Sequence, residues 1–177
     1  MNDTVFISRA SQDELEYYKK LHSSIEKFCK GRVDIHLYVG SSNVKFPRDW
    51  IDVPTTVISW SRKRSEAILD AFKRGYRTVV FVRHNMEFTE TPYDLLGFCN
   101  DYRPGVFDQA YITWTHGIIS PFLIGYRNVG QCLNILEQVS DYDIIEGTED
   151  IYGLTRIKIA ENHTDLPIYL RDQREQE

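Results

Sequence analysis

The chain contains none of the short signatures that mark the commonest nucleotide-binding and hydrolytic classes: no GxGxxG, no Walker loop, no GxSxG and no HExxH. Those absences argue against a classical dinucleotide enzyme, a P-loop NTPase, an α/β-hydrolase and a zincin. Its three cysteines, Cys29, Cys99 and Cys132, are far apart and form no CxxC or zinc spacing. They read as reduced, mostly buried thiols of a cytoplasmic protein. The five histidines (His22, His36, His84, His116 and His163) show no paired metal-ligand spacing. No apolar run approaches the roughly 18 residues of a membrane helix, and no signal-peptide pattern opens the chain, so no membrane role is expected. A net charge of -5 gives no global field to attract nucleic acid or anionic lipid, although a local basic patch could still do so. No internal repeat or low-complexity segment occurs.

What is present suits one folded domain. The chain has 177 residues, 42% of them hydrophobic and 27% charged, enough for a sizeable core and unlike a disordered segment. Residues 1–170 read as one α/β domain and 171–177 (RDQREQE) as a charged, frayed tail.

The first half alternates strands and helices. Thr4–Ser8 is a β-rich run, and Ser11-Gln12-Asp13-Glu14 has the S-x-x-E form of a capping box opening a helix that Gly31 closes. Val33–Val39 and Thr55–Ser59 read as strands, with a loop over Asn43–Pro54 between them. Arg62–Arg74 reads as a helix ending at Gly75, and Thr78–Val82 as a buried strand that stops at Arg83, His84 and Asn85. Thr91-Pro92 places a cap before a first-turn proline, so a short helix should run to about Asn100. The second half is mixed. Gln109–Trp114, Pro121–Tyr126, Tyr142–Glu146 and Leu154–Ala160 read as strands, Val129–Val139 as a helix and Arg103-Pro104-Gly105 as a turn. The order predicts a mostly parallel sheet with helices on both faces and a smaller antiparallel extension.

Polar residues at the carboxyl ends of parallel strands are where such folds bind ligands. Ser8-Arg9 and Gly40-Ser41 close the first two strands and are candidate nucleotide contacts. Arg83 and His84 can neutralise a diphosphate directly, since guanidinium binds phosphate bidentately, and Asn85 beside them is a further candidate nucleotide contact; they can equally be ordinary polar residues at a sheet edge. Arg62-Lys63-Arg64, at a helix start, offers Arg62 or Arg64 to a phosphate or to solvent. Glu149-Asp150 can supply a general base or a turn acid, and His116 between two strands can act as base, substrate hydrogen-bonder or structural side chain.

This layout resembles the GT-A glycosyltransferases, which use nucleotide sugars and a single Rossmann-like domain. The segment Ser59–Gly75 looks like that family's helix after a small polar loop, leading straight into a hydrophobic strand ending in Phe81-Val82. In the family this strand ends in Asp-x-Asp, whose carboxylates hold a divalent metal on the diphosphate. Arg83, His84 and Asn85 stand at the matching positions, so both acids are missing and Glu87 is the nearest carboxylate. Manganese or magnesium is therefore disfavoured. Glu149-Asp150-Ile151-Tyr152-Gly153-Leu154 looks like the family's acceptor-side Glu-Asp motif, in which a carboxylate acts as base on the acceptor hydroxyl. The resemblance implies sugar transfer from a nucleotide sugar to an unknown acceptor, with Asp150 as base and Arg83 with Arg62 or Arg64 on the diphosphate. The alternative is a non-catalytic relative that keeps the fold to bind a partner. A modified nucleic-acid base as acceptor would need a basic channel that the net charge does not advertise.

Overall fold

In the computed structural model, which describes residues 1–50, 52–58, 64–100, 110–115, 118–128 and 166–176, the core is a six-stranded sheet with helices on both faces. In chain order the elements are β1 (Thr4–Arg9), α1 (Leu15–Cys29), β2 (Asp34–Val39), β3 (Thr55–Val57), α2 (Ser65–Lys73), β4 (Thr78–Val82) and β5 (Met86–Phe88). There follow α3 (Tyr93–Asn100), β6 (Ala110–Thr115), β7 (Ile118–Arg127) and β8 (Leu170–Asp172). The sheet order is β3-β2-β1-β4-β7-β6. The first four strands are mutually parallel, and β7 runs antiparallel to both β4 and β6. Five strands therefore point one way and deliver their carboxyl ends to one edge.

Strand composition explains the central placement of β4. All five residues of Thr78-Val79-Val80-Phe81-Val82 are buried, as a β-branched run covered on two faces must be. Alternation sends Val80 and Val82 to the face carrying α1 and α3, with Phe6, Leu37, Leu95 and Phe98 in the same apolar cluster. Phe81 faces α2, where the Arg64 guanidinium lies 4.8 Å from its ring centre. On α1 the buried stripe is Leu15, Tyr18, Leu21, Ile25 and Cys29, the three-and-four spacing of an amphipathic helix. The thiols of Cys29 and Cys99 are both buried and free, and burial pushes each up to about 12, which suits packing rather than reactivity.

The capping box forms as the sequence suggests: the Ser11 N–H donates to Glu14 Oε1 at 2.9 Å, and a short 3-10 turn leads into α1. At the other end the left-handed conformation begins one residue before the glycine, at Lys30 (φ 40) with Gly31 (φ 77) after it. The stretch read as a loop contains a 3-10 turn, Arg48–Trp50, which plants the Trp50 ring edge-on against Tyr18 at 5.7 Å. Gly125 in β7 is a packing necessity. A Cβ there would sit 3.1 Å from Phe98 Cε1 and 3.3 Å from Tyr111 Cβ. Gly125→Ala is expected to cost about 1–3 kcal/mol, read as a lowered midpoint in urea unfolding.

The structure departs from the sequence reading at the carboxyl terminus. Residues 171–177 read as a frayed tail, yet Leu170–Asp172 pairs antiparallel with β5 in a small second sheet, and Gln173–Gln176 follows as a 3-10 turn. The strands expected at Tyr142–Glu146 and Leu154–Ala160, the helix at Val129–Val139 and the turn at Arg103-Pro104-Gly105 lie outside the described residues. No helix among the described residues is long and apolar enough to cross a membrane.

Candidate functional site

The exit of β4 is built as a tight, braced turn. The Arg83 N–H donates to Phe122 O at 2.9 Å, extending the ladder with β7, and the Met86 N–H returns to Arg83 O at 3.1 Å. The chain is thereby turned out of the main sheet into β5. One residue upstream, the Ser8 hydroxyl donates to the Val82 carbonyl, so buried Ser8 links β1 to β4. Its hydroxyl proton is committed within the sheet.

His84 and Asn85 face two different supports. His84 Nε2 lies 2.7 Å from Glu14 Oε2, while the other oxygen of Glu14 holds Ser11. One carboxylate thus caps the entry to α1 and ties it to the end of β4. Burial is the largest influence on His84 and lowers its pKa; Glu14 opposes this, and Arg83 and Arg174 reinforce it. The neutral ring keeps its Nε2 proton for Glu14. Asn85 is fully buried: its Nδ2 donates to Asp172 Oδ1 at 2.9 Å, and its carbonyl accepts the Gln173 N–H at 2.9 Å. Gln173 Nε2 donates in turn to Met86 O at 2.8 Å and Tyr17 O at 2.9 Å.

Asp172 is the carboxylate at the centre of this cluster. Burial works against its ionisation, but the side chain and N–H of Arg174 together with Asn85 override that and hold its pKa down to about 2. Arg174 donates to it through its backbone N–H (2.9 Å), Nε (3.1 Å) and Nη2 (2.8 Å). Arg83 is half-buried, with its guanidinium 5.6 Å from the Phe122 ring centre. Burial, then the nearby Arg174, lowers the Arg83 pKa, while Asp172 and Glu14 favour its charge; a guanidinium still stays protonated at neutral pH. The β4 exit therefore carries two guanidinium groups around one anchored carboxylate.

The remaining candidates divide between places. Arg9 ends β1 beside Tyr38 of β2, half-buried. At the β2 exit Gly40 is half-buried, and exposed Ser41 folds onto its own turn, its Oγ accepting the Asn43 N–H at 3.1 Å. Arg64 is 5% exposed and stacks on Phe81, so it does not sit on a solvated helix face; it lies behind β4, on the face opposite α1. Arg62, His116, Glu149 and Asp150 lie outside the described residues.

A divalent cation does not fit the carboxylates found here. Glu87 receives Arg171 Nε (3.0 Å) and Nη2 (2.7 Å) across the β5–β8 pair, Asp172 is held by Arg174 and Asn85, and Glu14 by His84 and Ser11. Among the described residues no three His, Cys, Asp or Glu side chains converge as a metal site would require.

The pKa directions fix a pH dependence. Burial is the leading influence on His22, His36 and His84, and all three are lowered. Each folded-state pKa lies below the unfolded one, so below about 6.5 the unfolded chain binds more protons and stability falls with pH. Urea midpoints are expected to drop between pH 7 and 5, and less steeply in His84→Gln.

Nothing in the sequence marks Asp172, Arg174 or Glu14 as site residues. Glu14 is visible there only as a capping-box acid, and Asp172 and Arg174 only as tail charges.

Comparison with known proteins supplies the fold but no closer kinship. No family model matches the chain, and no curated protein matches it. Among solved structures, it resembles a glycosyltransferase involved in glycosylation of the major capsid of PBCV-1, at TM-score 0.55 and 12% identity. That match covers 90% of this chain and 80% of the other. It also resembles the mannosyltransferase PcManGT from Pyrobaculum calidifontis, solved with GDP-Man and Mn2+, at TM-score 0.53 and 14% identity. Here the match covers 77% of this chain and 46% of that one. The chain has a glycosyltransferase-like α/β fold.

Proposed function

We propose that this chain is a GT-A-type glycosyltransferase of the cytoplasm that binds a nucleotide sugar at the carboxyl edge of its sheet and passes the sugar to an acceptor hydroxyl. The observation carrying this reading is the β4 exit, where Arg83 stands beside an anchored Arg174 in place of the family's metal-binding acids. Arg83 can meet a diphosphate by charge-assisted bidentate hydrogen bonds without a cation, while Arg174, whose Nε and Nη2 are held by Asp172, adds positive charge beside it. Arg9, Gly40 and Ser41 sit on the same edge and are assigned to the nucleotide. Asp150 is assigned as the base on the acceptor, with Glu149 and His116 as its neighbours in function. The fold of the mannosyltransferase seen with GDP-Man supports the nucleotide-sugar class.

A non-catalytic binding protein on the same fold is the second reading. The engagement of Glu14, Glu87 and Asp172 with basic partners favours it. Donor-sugar turnover separates the two: Asp150→Asn is expected to abolish transfer while leaving nucleotide-sugar binding in place. Wild-type protein that binds nucleotide sugar yet neither transfers nor hydrolyses it would establish the second reading.

A further inference from the structure

Away from the β4 exit, a cleft of ≈ 250 Å³ opens between α1 and the turn carrying Trp50. Its wall includes Tyr18, Lys19, His22, Glu26, Asp49 and Asp52. Tyr18 is 1% exposed, and its hydroxyl has no hydrogen-bond partner among the described residues. Buried hydroxyls are almost always paired, so an orphan in a cleft wall marks a place where a ligand group completes the set. The Glu26 carboxylate lies within electrostatic reach of this hydroxyl, the Tyr18 ring meets His22 at 5.8 Å, and His22 Nδ1 is 3.7 Å from Glu26 Oε1.

The charge of the lining selects the ligand. Lys19 and Asp49 cancel one another at 2.9 Å. Glu26 and Asp52 remain; Asp52 carries no ion pair among the described residues, and burial keeps His22 neutral near pH 7. Two carboxylates, an orphan hydroxyl and two aromatic rings suit an ammonium group. A metal ion would need three converging ligands, which the described residues do not provide. A second cleft of ≈ 430 Å³ shares His22 and Glu26 and continues past Ile25, Val33, Ile35 and Pro54, giving an apolar path for a methylene chain.

We propose that this cleft is a second binding site, independent of the nucleotide-sugar edge, for a small aliphatic amine held by Glu26, Asp52 and the Tyr18 hydroxyl. Calorimetric titration with putrescine, and with the diol of equal chain length, tests it on the full chain. Saturable heat is expected for the diamine and none for the diol. Glu26→Gln and Asp52→Asn are each expected to weaken binding about tenfold, the usual effect of losing one charged hydrogen bond. Tyr18→Phe should also weaken it while leaving the thermal midpoint of the free protein unchanged or higher, because an orphan hydroxyl contributes nothing to the empty fold. Overturning results would be no saturable heat with putrescine, equal binding of the diol, or unchanged binding in the Glu26/Asp52 double variant. Binding of magnesium in place of the amine would also overturn it.

Discussion

Truncation after Ile168 is expected to unfold the protein or leave it barely folded, although it removes only the charged end and two apolar residues. Tyr169 and Leu170 are buried at 4% and 5% exposure, and each such side chain contributes roughly 1.5–3 kcal/mol by burial. The cut also deletes the strand that pairs with β5 among the described residues and leaves Asn85 buried without Asp172. Each stranded polar group adds about 1–3 kcal/mol. The sum is comparable with the roughly 5–15 kcal/mol that stabilises a typical domain. A frayed tail would predict the opposite, an unchanged urea curve. The point variant Asp172→Ala isolates the polar part and is expected to lose about 2–3 kcal/mol, since Asn85 Nδ2 and Arg174 both lose their acceptor.

Arg83→Ala is expected to weaken nucleotide-sugar binding by a factor of about 10–100, the range for removing one charged hydrogen-bonding group. Arg83→Lys should recover only part of that loss, because an ammonium cannot reproduce a bidentate guanidinium contact. The side chain is half-buried and rests on Phe122, so unfolding curves of both variants must accompany the titrations. Loss of binding with an intact urea midpoint supports a ligand role. Loss of both together would make Arg83 a structural residue of the β4 exit, which is its other reading.

The parallel half of the fold was legible because local signals agreed with the final packing. The Ser11–Glu14 box, the α1 stripe and the buried run Thr78–Val82 each carry their structure within a few residues. The β5–β8 pair was not legible. Each strand has three residues, and the partners stand 84 positions apart, so neither periodicity nor turn chemistry announces them. The same distance hid Asp172 and Arg174, whose significance comes entirely from where that pairing places them.

The β4 exit was legible in place and not in detail. The abrupt stop at Arg83-His84-Asn85 marked the carboxyl end of β4, but the three side chains have separate tasks: His84 braces Glu14, Asn85 anchors Asp172, and Arg83 faces the Arg174 cluster. Arg64 illustrates the limit of reading charge as exposure. A guanidinium stacked on Phe81 is 5% exposed, while its sequence neighbourhood reads as a solvated basic run.

In the proposed function this sheet edge binds a nucleotide sugar through arginines rather than through a metal. Calorimetric titration with GDP- and UDP-sugars, in manganese and again in EDTA, tests it most directly. Saturable binding to one of them is expected, with the same affinity in both buffers and weakened by added salt. Binding that requires manganese, or no binding to any of these sugars, would contradict it.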